Sequence, residues 1–392
     1  MDRLAISLAF LGVVALPAAA QDVWEEESLW ETGVTGEAAL VASPGEDDET
    51  LLRFGIGAFA NRVLDNGLEI GVVTGVRFER DHPARAGFSG ILAAPAGQQP
   101  PVIGAFSGLA AAAVVEDAGA RGAIETAYVY AEGGYGEIRL GRDEGIAKRF
   151  SEGAPSVFRT LSLHAPQLDP GGVALVRTDH DLTGPSAKVS VATPRIIGLR
   201  GGLSFTPEAS TRGLDRDPAR IFPGAPAVSI RNAAEASLSF NHRFRATGLR
   251  TRASVAYSHA DVDAAPTSPV DYDSVTTLSA GGSLEWEGFV LGGSMLDSDN
   301  GLADTPGDYT AWTAGLSREL FGIRWGFEYG EAEDDTVQID GKSWRFGGAK
   351  AFGDHAAVAL GYRSDTVDLL TGAHSLYLPD SEGIVLEITL SR

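Results

Sequence analysis

The chain has 392 residues, 49 of them glycine and none cysteine, with a formal net charge of −22. Absent cysteine excludes a disulfide framework, a thiolate metal centre and a thiol nucleophile. Strong acidity argues against a nucleic-acid partner, because a phosphate backbone needs cationic neutralisation.

In chain order, residues 1–20 read as a secretory signal peptide. Arg3 precedes an apolar run from Leu4 to Leu16, and Pro17 and Ala18-Ala19-Ala20 supply the small residues before a cut ahead of Gln21. One β unit then occupies 21–392. Its mean hydropathy is near zero, −0.01 for the whole chain. No later stretch approaches the ~18 uninterrupted apolar residues of a membrane helix.

Beyond residue 28 the dominant period is two. Leu52, Phe54, Ile56 and Ala58 alternate with Leu51, Arg53, Gly55 and Gly57. Ile70, Val72, Thr74, Val76 and Phe78 alternate with Glu69, Gly71, Val73, Gly75, Arg77 and Glu79. Successive strand side chains point to opposite faces, so each segment has one apolar face and one of Gly, Ser, Arg and Glu. A soluble sandwich alternates as well, and the connections separate the two cases.

Strands come in pairs joined by short turns, beginning with Leu64-Asp65-Asn66-Gly67 and Gly133-Gly134-Tyr135-Gly136 and ending with Phe352-Gly353-Asp354. Between the pairs lie longer acidic, Pro- and Gly-rich connections at 43–49, 81–122, 143–185, 207–231, 261–272, 298–308, 331–341 and 365–382. This sorting predicts an all-β, 16-stranded antiparallel transmembrane β-barrel with short periplasmic turns and long extracellular loops. Closure leaves no unpaired strand edge in lipid. Phe244, Trp286, Phe289, Phe321 and Phe352 border short turns, while Tyr257, Tyr309, Trp312, Tyr329, Trp344 and Tyr362 sit toward long loops. Two interfacial girdles produce that distribution.

The face opposite the apolar set is the water-filled lining. Its basic members are Arg53, Arg77, Arg139, Lys188, Arg200 and Arg243 in the first half, and Arg250, Arg252, Arg324, Arg345 and Arg363 in the second. Its acidic members include Glu69, Glu79, Glu125, Glu137, Glu235, Glu285 and Glu328. Arginine near the midplane of a lipid face would cost ~2–4 kcal/mol, which explains its recurrence in one register.

The run Tyr135-Gly136-Glu137-Ile138-Arg139-Leu140-Gly141-Arg142 resembles the strand entering the constriction loop of Gram-negative general porins. The longer run from Lys188 through Thr193-Pro194-Arg195 and Gly198-Leu199 to Gly202-Leu203-Ser204-Phe205-Thr206-Pro207 resembles the same family, as do Phe289–Ser294 and Thr310-Ala311-Trp312, which resemble its alphaproteobacterial members. The resemblance covers nearly the whole mature chain; the family usually ends in an aromatic residue where this sequence has Arg392. It implies a homotrimer in the outer-membrane lipid that passes small hydrophilic solutes and ions by diffusion.

It also implies that the connection 143–185 folds inward as a constriction. That loop carries Asp143, Glu144, Glu152, Asp169, Asp179 and Asp181, expected to face the early arginines across a narrow gap and set a transverse field. The long second loop, 81–122, contains an apolar Ala-rich stretch, 102–115, expected as a short helix packed in the mouth or, as the family implies, against a neighbouring subunit.

Acids crowd the remaining loops, among them Glu46, Asp297, Asp304, Glu331, Glu333 and Asp335. They predict weak cation selectivity. Ca²⁺ held by oxygen ligands on these loops is the one metal reading left open, and no run matches the twelve-residue Ca²⁺ loop. The seven histidines show no metal-ligand spacing, no G-x-S-x-G elbow occurs, and no catalytic residue or cofactor is expected. Two other readings remain: a substrate-preferring channel with an arginine ladder for anionic solutes, and a closed structural or adhesive barrel.

Overall fold

The computed structural model describes residues 30–46, 50–82, 102–108, 120–172, 174–209, 228–264, 266, 268, 270–369 and 380–392. The signal-peptide reading of 1–20 lies outside the described residues.

Sixteen strands follow in order: β1 Glu31–Ala42, β2 Thr50–Val63, β3 Glu69–Arg80, β4 Arg121–Gly133, β5 Gly136–Asp143, β6 Ser186–Ala192, β7 Leu199–Ala209 and β8 Val228–Arg243. The second half comprises β9 Arg250–Ala264, β10 Ser274–Trp286, β11 Phe289–Ser298, β12 Tyr309–Leu320, β13 Ile323–Asp334, β14 Ile339–Phe352, β15 Ala356–Leu369 and β16 Ser381–Ser391. One short helix, α1 Ile146–Phe150, follows β5. No helix among the described residues is long and apolar enough to cross a membrane.

Each strand pairs antiparallel with its sequence neighbours. The sheet closes where β1 meets β16, from Glu37 opposite Ser391 to Ala42 opposite Leu386. Closure satisfies both outer strands, so no edge faces lipid. The tightest hairpins use two residues with positive φ. These are Glu287 (+48°) with Gly288 (+76°) and Phe321 (+57°) with Gly322 (+72°), a twist that matches the strands they join.

The alternation resolves into an outer and an inner face. Leu203, Leu238, Leu278, Leu291, Leu316 and Leu360 are exposed on the outside, where lipid covers them. Trp312 and Tyr329 approach at 5.5 Å between ring centroids, and Trp344 stacks on Tyr362 at 5.5 Å. These pairs lie toward the long-loop end.

Two expectations change here. The connection between β13 and β14 shrinks to 335–338, because the period-two pattern runs on through Glu331, Glu333 and Asp340 above the apolar band. Inside, the upper half of the wall from β7 to β15 is not a polar lining. Ile230, Val262, Val275, Leu296, Ala332 and Ile339 form a buried apolar cluster with Leu163, Leu175, Val176 and Leu182 of the inward loop. This part of the barrel is filled like a soluble core.

Part of the second loop joins that core. Residues 102–108 form a turn rather than a helix, with Ile103, Ala105 and Phe106 buried. The Asn300 side-chain oxygen accepts from the Phe106 and Ser107 backbone N–H groups at 3.1 and 2.9 Å. Phe106 lies 5.8 Å from the Tyr309 ring. The described piece therefore packs into this chain's own mouth; the rest of 81–122 is largely outside the described residues.

Candidate functional site

The segment 144–185 between β5 and β6 crosses the inside of the barrel. Inward glycines let its backbone lie directly on the wall. A Cβ on Gly315 would meet the Pro155 carbonyl at 2.9 Å, one on Gly326 would meet Val157 at 2.7 Å, and one on Gly341 would meet Leu175 at 2.7 Å. At Gly281 the Glu152 carbonyl oxygen occupies the side-chain position itself. Phe158 sits between Gly347 and Gly361. At Gly281 and Gly315 glycine marks the close approach of a second backbone, and at Gly326, Gly341, Gly347 and Gly361 it makes room for loop side chains.

Three buried wall glutamates tie the segment down. Glu387 on β16 accepts from the Arg159 and Thr160 backbone N–H groups at 2.6 and 2.8 Å and from the Thr160 hydroxyl at 2.5 Å. Glu328 on β13 accepts from the Leu163 N–H at 3.1 Å and from the Ser156 hydroxyl. Glu235 on β8 accepts from Thr183 Oγ1 and Ser204 Oγ, both at 2.8 Å, and from the Ala147 N–H at 3.3 Å. A loop inside a barrel must pair its backbone donors, and hydrogen bonds to carboxylates are the stronger kind.

The loop acids divide by role. Asp143 belongs to β5 and pairs with Arg139 at 2.9 Å. Glu144 is at the cavity and 3.1 Å from Lys148. Burial holds the Glu152 carboxyl above its usual range, opposed by the charges of Arg252, Arg250 and Arg195. Asp169, Asp179 and Asp181 do not face arginines across a gap. Asp169 accepts from the Gly171 and Ala174 N–H groups at 3.2 and 2.8 Å. Asp179 and Asp181 clamp Arg177 of the same loop, the latter at 3.0 Å. All three are buried, and their charge is used inside the loop to hold its shape.

Two loop histidines bridge to the wall. His180 bonds Ser279 at 2.8 Å and Ser258 at 2.7 Å. His164 bonds Thr178 at 2.9 Å, and Ser151 and Ser294 at 3.3 Å. Burial lowers the His164 pKa from its ordinary value, opposed by Asp179 and aided by Arg177 and Lys148.

The basic residues of the lining also divide. Arg53 and Arg77 line a cavity of about 440 Å³ against β1 to β4, with Glu37, Glu125, Asp143, Glu144 and Arg159. These charges pair within the wall: Arg53 with Glu37 at 3.1 Å and Arg77 with Glu125 at 3.2 Å. Arg139 and Arg200 meet at Glu137. Arg200 is 2.6 Å from that carboxylate, Arg149 of α1 is 2.7 Å away, and Arg139 contacts it while lying over the Tyr128 ring. Arg250 donates to Asn241 at 3.0 Å and Arg252 pairs with Glu285 at 3.6 Å near the short turns. Arg243 and Arg324 are exposed at the same end.

Lys188, Arg345 and Arg363 face inward but do not line an open passage, and their exposures are 3%, 3% and 0%. The Lys188 ammonium donates to Thr183 Oγ1 and the Gly184 carbonyl, so the loop covers it. Arg345 and Arg363 share Asp365, and Glu46 closes over Arg363 at 2.5 Å. Among the described residues no three His, Asp or Glu side chains converge to hold a metal ion.

The sequence did not distinguish Glu328 and Glu235, which anchor the loop, from glutamates that line water, and Glu387 was not singled out. Their signal is a carboxylate in the inward register opposite an inward loop, and only the path of that loop identifies its partners.

A family model described as Gram-negative porin matches residues 7–368. A search of curated proteins finds no match. Among solved structures, the chain is similar to OmpF of Salmonella typhi in complex with daunomycin, at 13% identity over 92% of this chain and 97% of that one, with TM-score 0.58. It is also similar to an anion-selective porin from Comamonas acidovorans, at 12% identity over 93% and 100%, with TM-score 0.56. A trimer form of OmpT from Vibrio cholerae matches at 11% identity over 93% and 99%, with TM-score 0.54. At these identities the likeness is one of fold.

Proposed function

The chain belongs to the Gram-negative porin family and is a diffusion channel of the outer membrane, and we propose that solutes pass through an off-centre slit against β1 to β4. The observation that carries this is the seating of 144–185. The loop is pressed onto the glycines of β10 to β15 and tied by Glu235, Glu328 and Glu387, so the far side is filled and a charged cavity of about 440 Å³ remains beside Arg53 and Arg77. The slit accepts small hydrophilic solutes and ions because its walls are charged and water-filled. The paired lining charges support weak ion selectivity, cationic in sign given the acidic mouth. The solved trimer form of the Vibrio cholerae protein supports a homotrimer.

Single-channel recording in planar bilayers tests the reading. Deleting 150–175 raises the conductance, and an unchanged conductance overturns the constriction. A reversal potential favouring anions in a salt gradient refutes the sign of the selectivity.

A preference for anionic solutes is the second reading. Three guanidiniums, Arg139, Arg149 and Arg200, meet at Glu137, with Asp143 a second carboxylate on Arg139, and the similar porin from Comamonas acidovorans is anion-selective. Saturable block of the current by one anionic solute distinguishes it from general diffusion.

A further inference from the structure

Where the loop meets the open slit it presents both signs of charge, the expected acid Glu144 and a cation that was not expected. Arg159 is a loop cation in the cavity lining, and it faces a wall carboxylate, Glu37 on β1, at 3.5 Å. Its backbone N–H is fixed by Glu387 at 2.6 Å, so the residue's position does not depend on its side chain. The Arg159 side chain is 57% exposed and that of Glu37 40%. On one side of the pair lies the cavity of about 440 Å³, and on the other the space beside Thr160, Gln167 and Thr389 falls to about 10 Å³. The pair therefore stands at the edge of the passage, in water.

An exposed ion pair of this kind adds little to stability, because water screens it and ordering two long side chains costs entropy. Its charges remain available to passing ions. Arg53, 14% exposed and 3.1 Å from Glu37, steadies the carboxylate from the wall side. We propose that Arg159 and Glu37 are the specificity-determining residues of the slit: a loop cation and a wall anion whose opposed charges balance the permeability for cations and anions. This rests on the reading of the slit as the passage.

The test is the reversal potential in a salt gradient, with the full-length protein in planar bilayers. One unit charge about 5–10 Å from an ion in water changes its local concentration about two- to fourfold. The effect on anions is opposite, so Arg159→Gln raises the cation-to-anion permeability ratio by about the square of that factor, and Glu37→Gln lowers it by a similar amount. Arg159→Lys keeps the charge and the wild-type ratio. The exchange of both residues, R159E with E37R, also restores it. A merely structural pair would move none of these, or would move both single variants the same way; either result overturns the proposal. Should Arg159→Gln fail to assemble, Glu37→Gln and Arg159→Lys carry the same decision. A wild-type protein that passes no current overturns the reading of the slit itself, and conducting variants with unchanged selectivity overturn only the role of this pair.

Discussion

Replacing Glu387 by alanine asks what holds the constriction in place. Glu387 is 2% exposed and accepts three hydrogen bonds from the loop, at 2.6, 2.8 and 2.5 Å. The truncation leaves two backbone N–H groups and one hydroxyl without their acceptor. Each buried donor so stranded costs ~1–3 kcal/mol. Water entering the vacated space favours the lower end, so three donors amount to about 3 kcal/mol, or roughly a hundredfold in the equilibrium between seated and unseated loop. The barrel itself retains every strand pairing. Single-channel recording therefore shows greater open-channel noise and a higher mean conductance. Protease added to the assembled protein cuts within 144–185 faster, while resistance of the barrel to heating in detergent is unchanged. Wild-type noise, conductance and cleavage rate together would refute the claim that the wall glutamate anchors the loop.

Gly281→Ala introduces a side chain where the Glu152 carbonyl lies, so the loop must shift off β10. Overpacking of this kind costs ~1–3 kcal/mol, and the expected result is altered conductance with normal barrel assembly. His164 supplies a pH dependence. With its pKa lowered by burial, the seated loop suffers no penalty above the ordinary value near 6.5, and the penalty grows as pH falls below it. Channel noise rises from pH 7 to pH 5, and His164→Gln flattens that rise; an equally steep rise in the variant refutes the assignment, because the raised Glu152 carboxyl acts in the opposite direction, protonation relieving the penalty of its buried charge.

The barrel was legible because a strand in lipid has few choices. Alternation through Leu52–Ala58 and Ile70–Phe78, with turns such as Asp65-Asn66-Gly67, encodes both the faces and the hairpins locally. The extents of the strands were less so. Alternation does not stop at the membrane boundary, and β13 and β14 run beyond the aromatic pair Trp312 and Tyr329 into water. Register says only that Lys188, Arg345 and Arg363 lie on the face opposite the apolar set. What they meet there depends on a segment far away in sequence.

Local sequence encodes the closed barrel and its two faces, since both follow from periodicity and from the cost of unpaired backbone in lipid. Tertiary structure alone decided which inward charges touch water. The loop 144–185 buries Asp169, Asp179 and Asp181 in its own turns, draws Glu235, Glu328 and Glu387 into anchoring it, and leaves Arg159 facing Glu37 across the remaining gap. Contacts of that range, between residues as far apart as 160 and 387, have no period in the chain. They arise from volume: the loop must fill one side of a bore of set diameter, and its unpaired donors take the carboxylates they find there.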